Sequence, residues 1–224
     1  MIIKNSDFKK EPKELSGLLI SGVYINPKMI SSLTDPLIEY IGILNNGPFG
    51  TKLLCQNSAS SYENPFLVLE LPSPTEHRES LQKLKDINYV SAYDCHYSVA
   101  LPSFSEPFDV IQRRYISGIT LNKLGDVLSP MEKISIQERL FNIVGEVHNV
   151  GLAGIDIRRS NVIISGIQPW LFDFDIYFNE GVFDPLFKQL KQLDYKDIET
   201  IFKKKDDLSF SAQRFYDFAR SLDK

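Results

Sequence analysis

The stretch Gly154-Ile155-Asp156-Ile157-Arg158-Arg159-Ser160-Asn161-Val162-Ile163-Ile164, continued by Trp170-Leu171-Phe172-Asp173-Phe174-Asp175, decides how the rest of the chain is read. Asp156 and Asn161 are separated by four residues in a polar segment that runs into the apolar Val162-Ile163-Ile164. A second apolar run, Trp170-Leu171-Phe172, delivers Asp173 at its end. Two short apolar runs in succession predict an antiparallel hairpin, in which the start of the first strand and the end of the second share one edge. Asp156, Asn161 and Asp173 then converge on one small volume. Two carboxylates and an amide oxygen are hard donors suited to Mg²⁺, which binds through a few such groups plus substrate phosphates.

Upstream of this hairpin, Ser129-Pro130-Met131-Glu132 is a capping box: the serine caps free amides, proline suits the first helical position, and glutamate reaches back. A long helix is predicted from there to about His148. Leu140, Phe141, Val144, Val147 and His148 recur at the three- and four-residue intervals of one helical face, and Gly151 and Gly154 stop it. His148 reads as a hydrogen-bonded core histidine. Downstream, Leu186, Leu190 and Leu193, then Ile198, Ile201 and Phe202, predict a helical tail.

The first half is strand-rich instead. Strands are expected over Leu37–Leu44, Thr51–Gln56, Pro65–Leu71, Tyr93–Leu101 and Phe108–Ile116. A turn-prone Asn45-Asn46-Gly47-Pro48-Phe49-Gly50 joins the first two, and a hairpin tip lies at Asn57–Ser61. A polar helix is expected from Thr75 to about Lys85, with Leu81 and Leu84 facing inward. Five strands with one helix, followed by helices around a small hairpin, make a two-lobed α+β chain.

Composition narrows the class. The 224 residues are 43% hydrophobic and 24% charged, enough to bury a core. Lys+Arg 25 against Asp+Glu 29 gives a net charge of -4 without a basic face, so nucleic-acid binding is not expected. Cys55 and Cys95 lie outside any CxxC spacing, which implies neither a disulfide framework nor a zinc ribbon. No apolar run approaches the roughly 18 residues needed to span a membrane, and the first residues lack the order of a classical signal peptide. A soluble monomer of the cytoplasm, or of another cytosol it is delivered to, is the expectation.

The segment resembles the catalytic loop of the protein-kinase-like superfamily, an Asp and an Asn with four residues between them, followed by a strand pair and an Asp-Phe-Gly metal motif. The resemblance extends upstream in order. Asn46-Gly47-Pro48-Phe49-Gly50-Thr51 is similar to the glycine-rich phosphate loop. Leu84-Lys85-Asp86-Ile87-Asn88-Tyr89-Val90 is similar to the link leaving the small-lobe helix, Arg114-Tyr115-Ile116-Ser117-Gly118-Ile119-Thr120-Leu121 to the hinge, and Val147–Leu152 to the end of the helix before the catalytic loop. Together these cover most of residues 40 to 176.

The resemblance implies a strand-rich N-lobe at 1–112, a hinge at 113–121 and a truncated helical C-lobe at 122–224. It implies an ATP- and Mg²⁺-dependent kinase. Asp156 would take the acceptor proton and Arg158 would touch the transferring phosphate, while Asn161 and Asp173 hold the metal. Gly47 and Gly50 would admit the phosphates, and the backbone from Arg113 through Arg114 to Tyr115 would meet the adenine. The chain departs from the family in its lysine. None ends the third strand, where Glu70 stands, so Lys52 on the preceding strand is the substitute, with Glu76 or Glu79 as its helix carboxylate. Gly154-Ile155 replaces the customary His-Arg, which argues against control by a phosphorylated activation loop. Asp175 replaces the last glycine of the metal motif, as in lipopolysaccharide-sugar kinases. About fifty residues follow Asp173, without an Ala-Pro-Glu signature. That brevity resembles minimal kinases that bacterial pathogens secrete into host cells as virulence effectors. The expected function is a Ser/Thr protein kinase; a small-molecule or glycolipid-sugar kinase and a pseudokinase binding module are the alternatives.

Overall fold

The computed structural model of the chain describes residues 18–20, 23–25, 27–47, 50–59, 65–73, 82–91, 93–100, 107–124, 127–174, 178–181, 184–203, 209–210, 212–214 and 217. They form a mixed α+β chain that divides into two compact units, Met1–Arg78 with Tyr93–Tyr115, and Glu79–Ala92 with Ile116–Lys224. The division after Tyr115 lies inside the expected hinge. The stretch Glu79–Ala92, expected in the first lobe, belongs to the second unit for a physical reason. Leu171 donates its N–H to Tyr89 O at 2.9 Å and accepts from Ser91 N–H at 2.7 Å, so the backbone at 89–91 is tied to the hairpin strand.

The first unit begins with a short hairpin, β1 (Leu18–Ile20) and β2 (Val23–Ile25), and a helix, α1 (Pro27–Thr34). None of the three is evident in the sequence, because pieces this short carry too little periodicity to be read. Five strands follow: β3 (Ile38–Gly47), β4 (Gly50–Asn57), β5 (Phe66–Ser73), β6 (Tyr93–Val99) and β7 (Phe108–Arg114). They form an antiparallel sheet in the order β3-β4-β5-β7-β6. Alternation along β4 and β5 sends Leu53, Cys55, Leu67, Leu69 and Leu71 to one face, where they bury against Val110 and Ile30 of α1. Burial pushes the Cys55 thiol up to about 12, so it is an inert core residue. β3 and β4 run on through part of the expected turn, with Gly47 paired to Gly50. Most of the helix expected from Thr75 falls on 74–81, outside the described residues, as do Glu76 and Glu79.

The second unit opens with β8 (Ile119–Thr120) and the single turn α2 (Leu121–Leu124). Gly118 precedes β8 where a Cβ would lie 2.5 Å from both Ile163 Cγ2 and Ile164 O, so only glycine allows the approach. Helix α3 (Pro130–Asn149) starts at the expected capping box: Ser129 Oγ accepts from Glu132 N–H at 3.3 Å, and Glu132 Oε2 accepts from Ser129 N–H at 2.8 Å. Ile136, Leu140, Ile143, Val144 and Val147 form its buried face. Strand β9 (Leu152–Ala153) follows, then the hairpin β10 (Val162–Ser165) and β11 (Gln168–Leu171), with Val162 opposite Leu171. β12 (Phe178–Asn179) pairs with β9, and α4 (Asp184–Thr200) packs Leu186, Phe187 and Leu190 against Ala153. Among the described residues no helix is long and apolar enough to cross a membrane.

Candidate functional site

The loop between β9 and β10 is shaped by local rules. Gly154 takes φ +77, a region that L side chains rarely adopt, and a Cβ there would stand 3.2 Å from Leu190 Cδ1. Beyond it the chain stays buried as far as Ile157 and closes in a 3₁₀ turn over Arg159–Asn161. This turn brings Asn161 back over Asp156. Asn161 Nδ2 donates to Asp156 O at 2.9 Å and to Asp156 Oδ2 at 3.2 Å. With its NH₂ fixed there, the amide turns Oδ1 to the other side, where Ser160 Oγ approaches at 3.4 Å.

Asp156 is only 7% exposed. Both of its carboxylate oxygens are engaged. Oδ2 also faces Arg158 Nε at 3.0 Å, an ion pair whose N–H does not point along the line of a hydrogen bond. Oδ1 accepts the backbone N–H of Ser209 at 3.3 Å, from a segment 53 residues further on. Arg158, expected to touch a phosphate, faces Asp156, a neighbouring anion. The side chain of Arg158 is 32% exposed, against 9% for that of Asp156.

Asp173 is reached through the hairpin. Phe172 donates its N–H to Asn161 O at 3.2 Å, which sets the backbone before Asp173 beside Asn161. Asp173 itself has φ +74. Aspartate tolerates this left-handed conformation better than most residues, and non-glycine residues held there cluster at functional sites. The expected trio therefore comes from one hairpin and its entry loop, with Asp156 and Asn161 in direct contact. As a donor set for Mg²⁺, one amide oxygen and one carboxylate fit an ion that retains water and binds substrate phosphates. Among the described residues no group of three or more His, Cys, Asp or Glu could hold a metal by itself. Asp175 lies outside the described residues.

Helix α4 supports this loop through groups that no motif in the sequence singles out. Asp194, with no exposed surface, accepts Gly154 N–H at 2.9 Å and lies 2.8 Å from His148 Nε2 on the same oxygen. His148 is thus a hydrogen-bonded core residue, as expected. Arg159 donates to Ile201 O and Phe202 O, both at 2.7 Å, capping the end of α4. Asp197 Oδ1 accepts Phe210 N–H at 2.7 Å, anchoring the segment that presents Ser209. A signal for these acids exists: Leu186, Leu190, Asp194, Asp197 and Ile201 follow one helical stripe, so the two acids occupy core positions.

The first unit carries a separate cluster. Lys52 and Glu70 are cross-strand partners on β4 and β5, with Lys52 Nζ 3.7 Å from Glu70 Oε1. Arg113 Nε lies 2.7 Å from Glu70 Oε2, again as an ion pair out of line for a hydrogen bond. Lys52 thus faces a strand glutamate, because register sets the two side chains directly opposite; Glu76 and Glu79, the helix glutamates expected as its carboxylate, lie outside the described residues. Gly47, the end of β3, pairs with Gly50, the start of β4, with Pro48 and Phe49 outside the described residues. Arg114 closes β7 with an exposed side chain, and the Tyr115 ring meets Phe66 edge-on at 6.2 Å.

No family model matches the chain. A curated protein similar to it is a "Probable bifunctional tRNA threonylcarbamoyladenosine biosynthesis protein" of Methanosarcina barkeri, 22% identical over 155 residues. The match takes in 68% of this chain and 26% of the relative, so the chain spans about a quarter of that protein's length.

Proposed function

We propose that the chain is a two-lobed, protein-kinase-like phosphotransferase that uses ATP and Mg²⁺ to phosphorylate a hydroxyl, with Ser or Thr of a protein as acceptor. The observation that carries this reading is the clamp of Asn161 on Asp156, tied through Phe172 N–H to the backbone that leads into Asp173. A buried carboxylate with an amide locked across it and a second acid one residue from the joint suits an acceptor-activating base beside two metal donors. In the reaction the acceptor hydroxyl forms a bond to the γ-phosphorus and gives its proton to Asp156. The bond from that phosphorus to the β–γ bridging oxygen breaks, and ADP leaves with the electron pair. Arg158, half-exposed, can move from Asp156 to the phosphoryl oxygens. Asn161 Oδ1 and Asp173 would hold Mg²⁺, which supplies neutralisation of phosphate charge. A minimal kinase acting in a host cytosol falls within this proposal.

The test is transfer of labelled γ-phosphate from ATP, with Mg²⁺, to a generic protein substrate or a cell lysate. Labelled protein is expected, and Asp173→Ala should abolish it. Label confined to a sugar or lipid fraction supports a glycolipid-sugar kinase of the same fold. Nucleotide binding without any transfer supports a pseudokinase. The similarity to the archaeal protein favours a second reading, an ATP-using part in tRNA threonylcarbamoyladenosine biosynthesis. Under that reading ATP consumption rises on adding tRNA.

A further inference from the structure

We infer that Asp197 of α4 is a positioning residue for Asp156, acting through the consecutive backbone amides of Ser209 and Phe210; the inference rests on the phosphotransferase reading above. The two amides point at different carboxylates. Ser209 N–H donates to Asp156 Oδ1 at 3.3 Å, and Phe210 N–H donates to Asp197 Oδ1 at 2.7 Å. Because peptide units are planar, the relation between these two N–H groups depends only on the φ and ψ of Ser209. The turn that follows holds those angles. Ser209 Oγ accepts Ala212 N–H at 3.0 Å and Ser209 O accepts Gln213 N–H at 3.0 Å, the bonds of a serine N-cap. One rigid turn thus bridges an acid on a helix and an acid in a loop.

The helix is the fixed end of that bridge. Asp197 is buried on the stripe of α4 that also carries Leu190, Asp194 and Ile201. Lys196, its neighbour, sets Nζ 4.3 Å from the centre of the Phe210 ring, so α4 grips Phe210 by backbone and by side chain. Ser209, itself buried, is carried along with it. The loop end is where the chemistry lies. Asn161 and Arg158 both meet Asp156 Oδ2, whereas Oδ1 is met among the described residues by Ser209 N–H. The rotation of the carboxylate about its last bond therefore depends on that amide. A general base must present its oxygen within hydrogen-bond reach of the acceptor proton. A rotated carboxylate slows transfer while leaving the nucleotide contacts alone, so loss of Asp197 should fall on kcat.

A double-mutant cycle on kcat, paired with amide hydrogen exchange at Ser209 read by NMR, tests the assignment. Asp197→Ala should lower kcat by about tenfold, the loss of one hydrogen bond to a charged group, with KM for Mg-ATP within about twofold of the intact protein. Asp197→Asn keeps an acceptor oxygen for Phe210 N–H and should lose no more than about threefold. In a Ser209→Pro background, where the amide to Asp156 is already gone, Asp197→Ala should cost nothing further in kcat. Exchange at Ser209 should quicken by about tenfold or more in Asp197→Ala while Val144 in α3 keeps its rate. Should Asp197→Ala fail to fold, Phe210→Pro removes the amide that Asp197 accepts, at a position proline suits, and is read in the same way. Full kcat in Asp197→Ala, losses that multiply in the double variant, or unchanged exchange at Ser209 overturns the inference while leaving the phosphotransferase reading intact. No phosphoryl transfer by the intact protein overturns that reading, and with it the role in kcat, whatever the exchange shows.

Discussion

Glu70 and Asp156 are two carboxylates with the same exposure, 7%, and each has an arginine Nε within 3.0 Å. They are held in opposite ways. Glu70 sits on a regular strand between two side-chain cations, and the strands that supply them are its own neighbours in the sheet. Asp156 sits in an irregular loop and is held by a backbone amide, a side-chain amide and a guanidinium. Of these, the arginine and the asparagine are local and the backbone amide is not. The sheet fixes a charge by repetition, so its partners follow from register. The loop fixes one by convergence, so its partners come from wherever the chain returns.

The difference can be broken open by substitution. Asp156→Asn keeps the size of the side chain but removes the proton acceptor and turns an NH₂ toward one of the donors that the carboxylate faces, so phosphoryl transfer should fall by roughly 10²–10⁴-fold; a cooperative thermal melt, even at a lowered temperature, separates this from unfolding. Arg113→Met leaves Glu70 buried beside a single lysine and should destabilise the fold by about 3 kcal/mol in urea titration. In a Glu70→Gln background the same change should lose much less, and equal losses in both backgrounds would mean that the pair is not coupled. Ser209→Pro removes the backbone amide that meets Asp156 Oδ1. It should lower kcat by about tenfold, roughly 1.4 kcal/mol, with little change in nucleotide binding; an unchanged kcat would show that the remote amide is dispensable.

The smallest effect comes from an exposed carboxylate that serves as a reference for both. Hydrogen bonds from the Ser129 hydroxyl and then its backbone N–H hold the Glu132 carboxyl below its ordinary 4.5. A depressed folded-state value stabilises at pH above 4.5 and fades as pH falls through the lowered value. The gap between thermal melts of Ser129→Ala and those of the intact protein should therefore narrow as the solution is acidified, leaving the share of the pH-independent cap from Ser129 Oγ to Glu132 N–H. A constant gap across that range would mean that Glu132 contributes nothing through its charge.

The parts legible in the sequence are those with local rules. The capping box at Ser129, the face of α3, the apolar strands of β4 and β5, and the β10–β11 hairpin all follow from spacing or alternation. The contact of Asp156 with Asn161 is legible for the same reason, since one short loop contains both. Glu70 is visible as a charge inside an apolar run, but its partners require the strand order, in which β5 lies between β4 and β7. Arg113 carries meaning in the sequence only through its backbone, because a β-strand end gives no hint of which face holds an anion. Asp194 and Asp197 interrupt an apolar stripe, a pattern that marks buried polar groups without naming what they bind. Ser209 carries no local signal at all: its N–H matters through a contact 53 residues distant.

That distance has a consequence for synthesis. Ribosomes add residues at roughly 5–20 per second, so Asp156 is made several seconds before the amide that will meet it. A growing polypeptide carries the acid, the hairpin and the helix α3 during that interval, yet lacks a group that fixes the carboxylate. The last hydrogen bond to the carboxylate is thereby deferred until translation has passed Ser209, a delay written into the order of the chain.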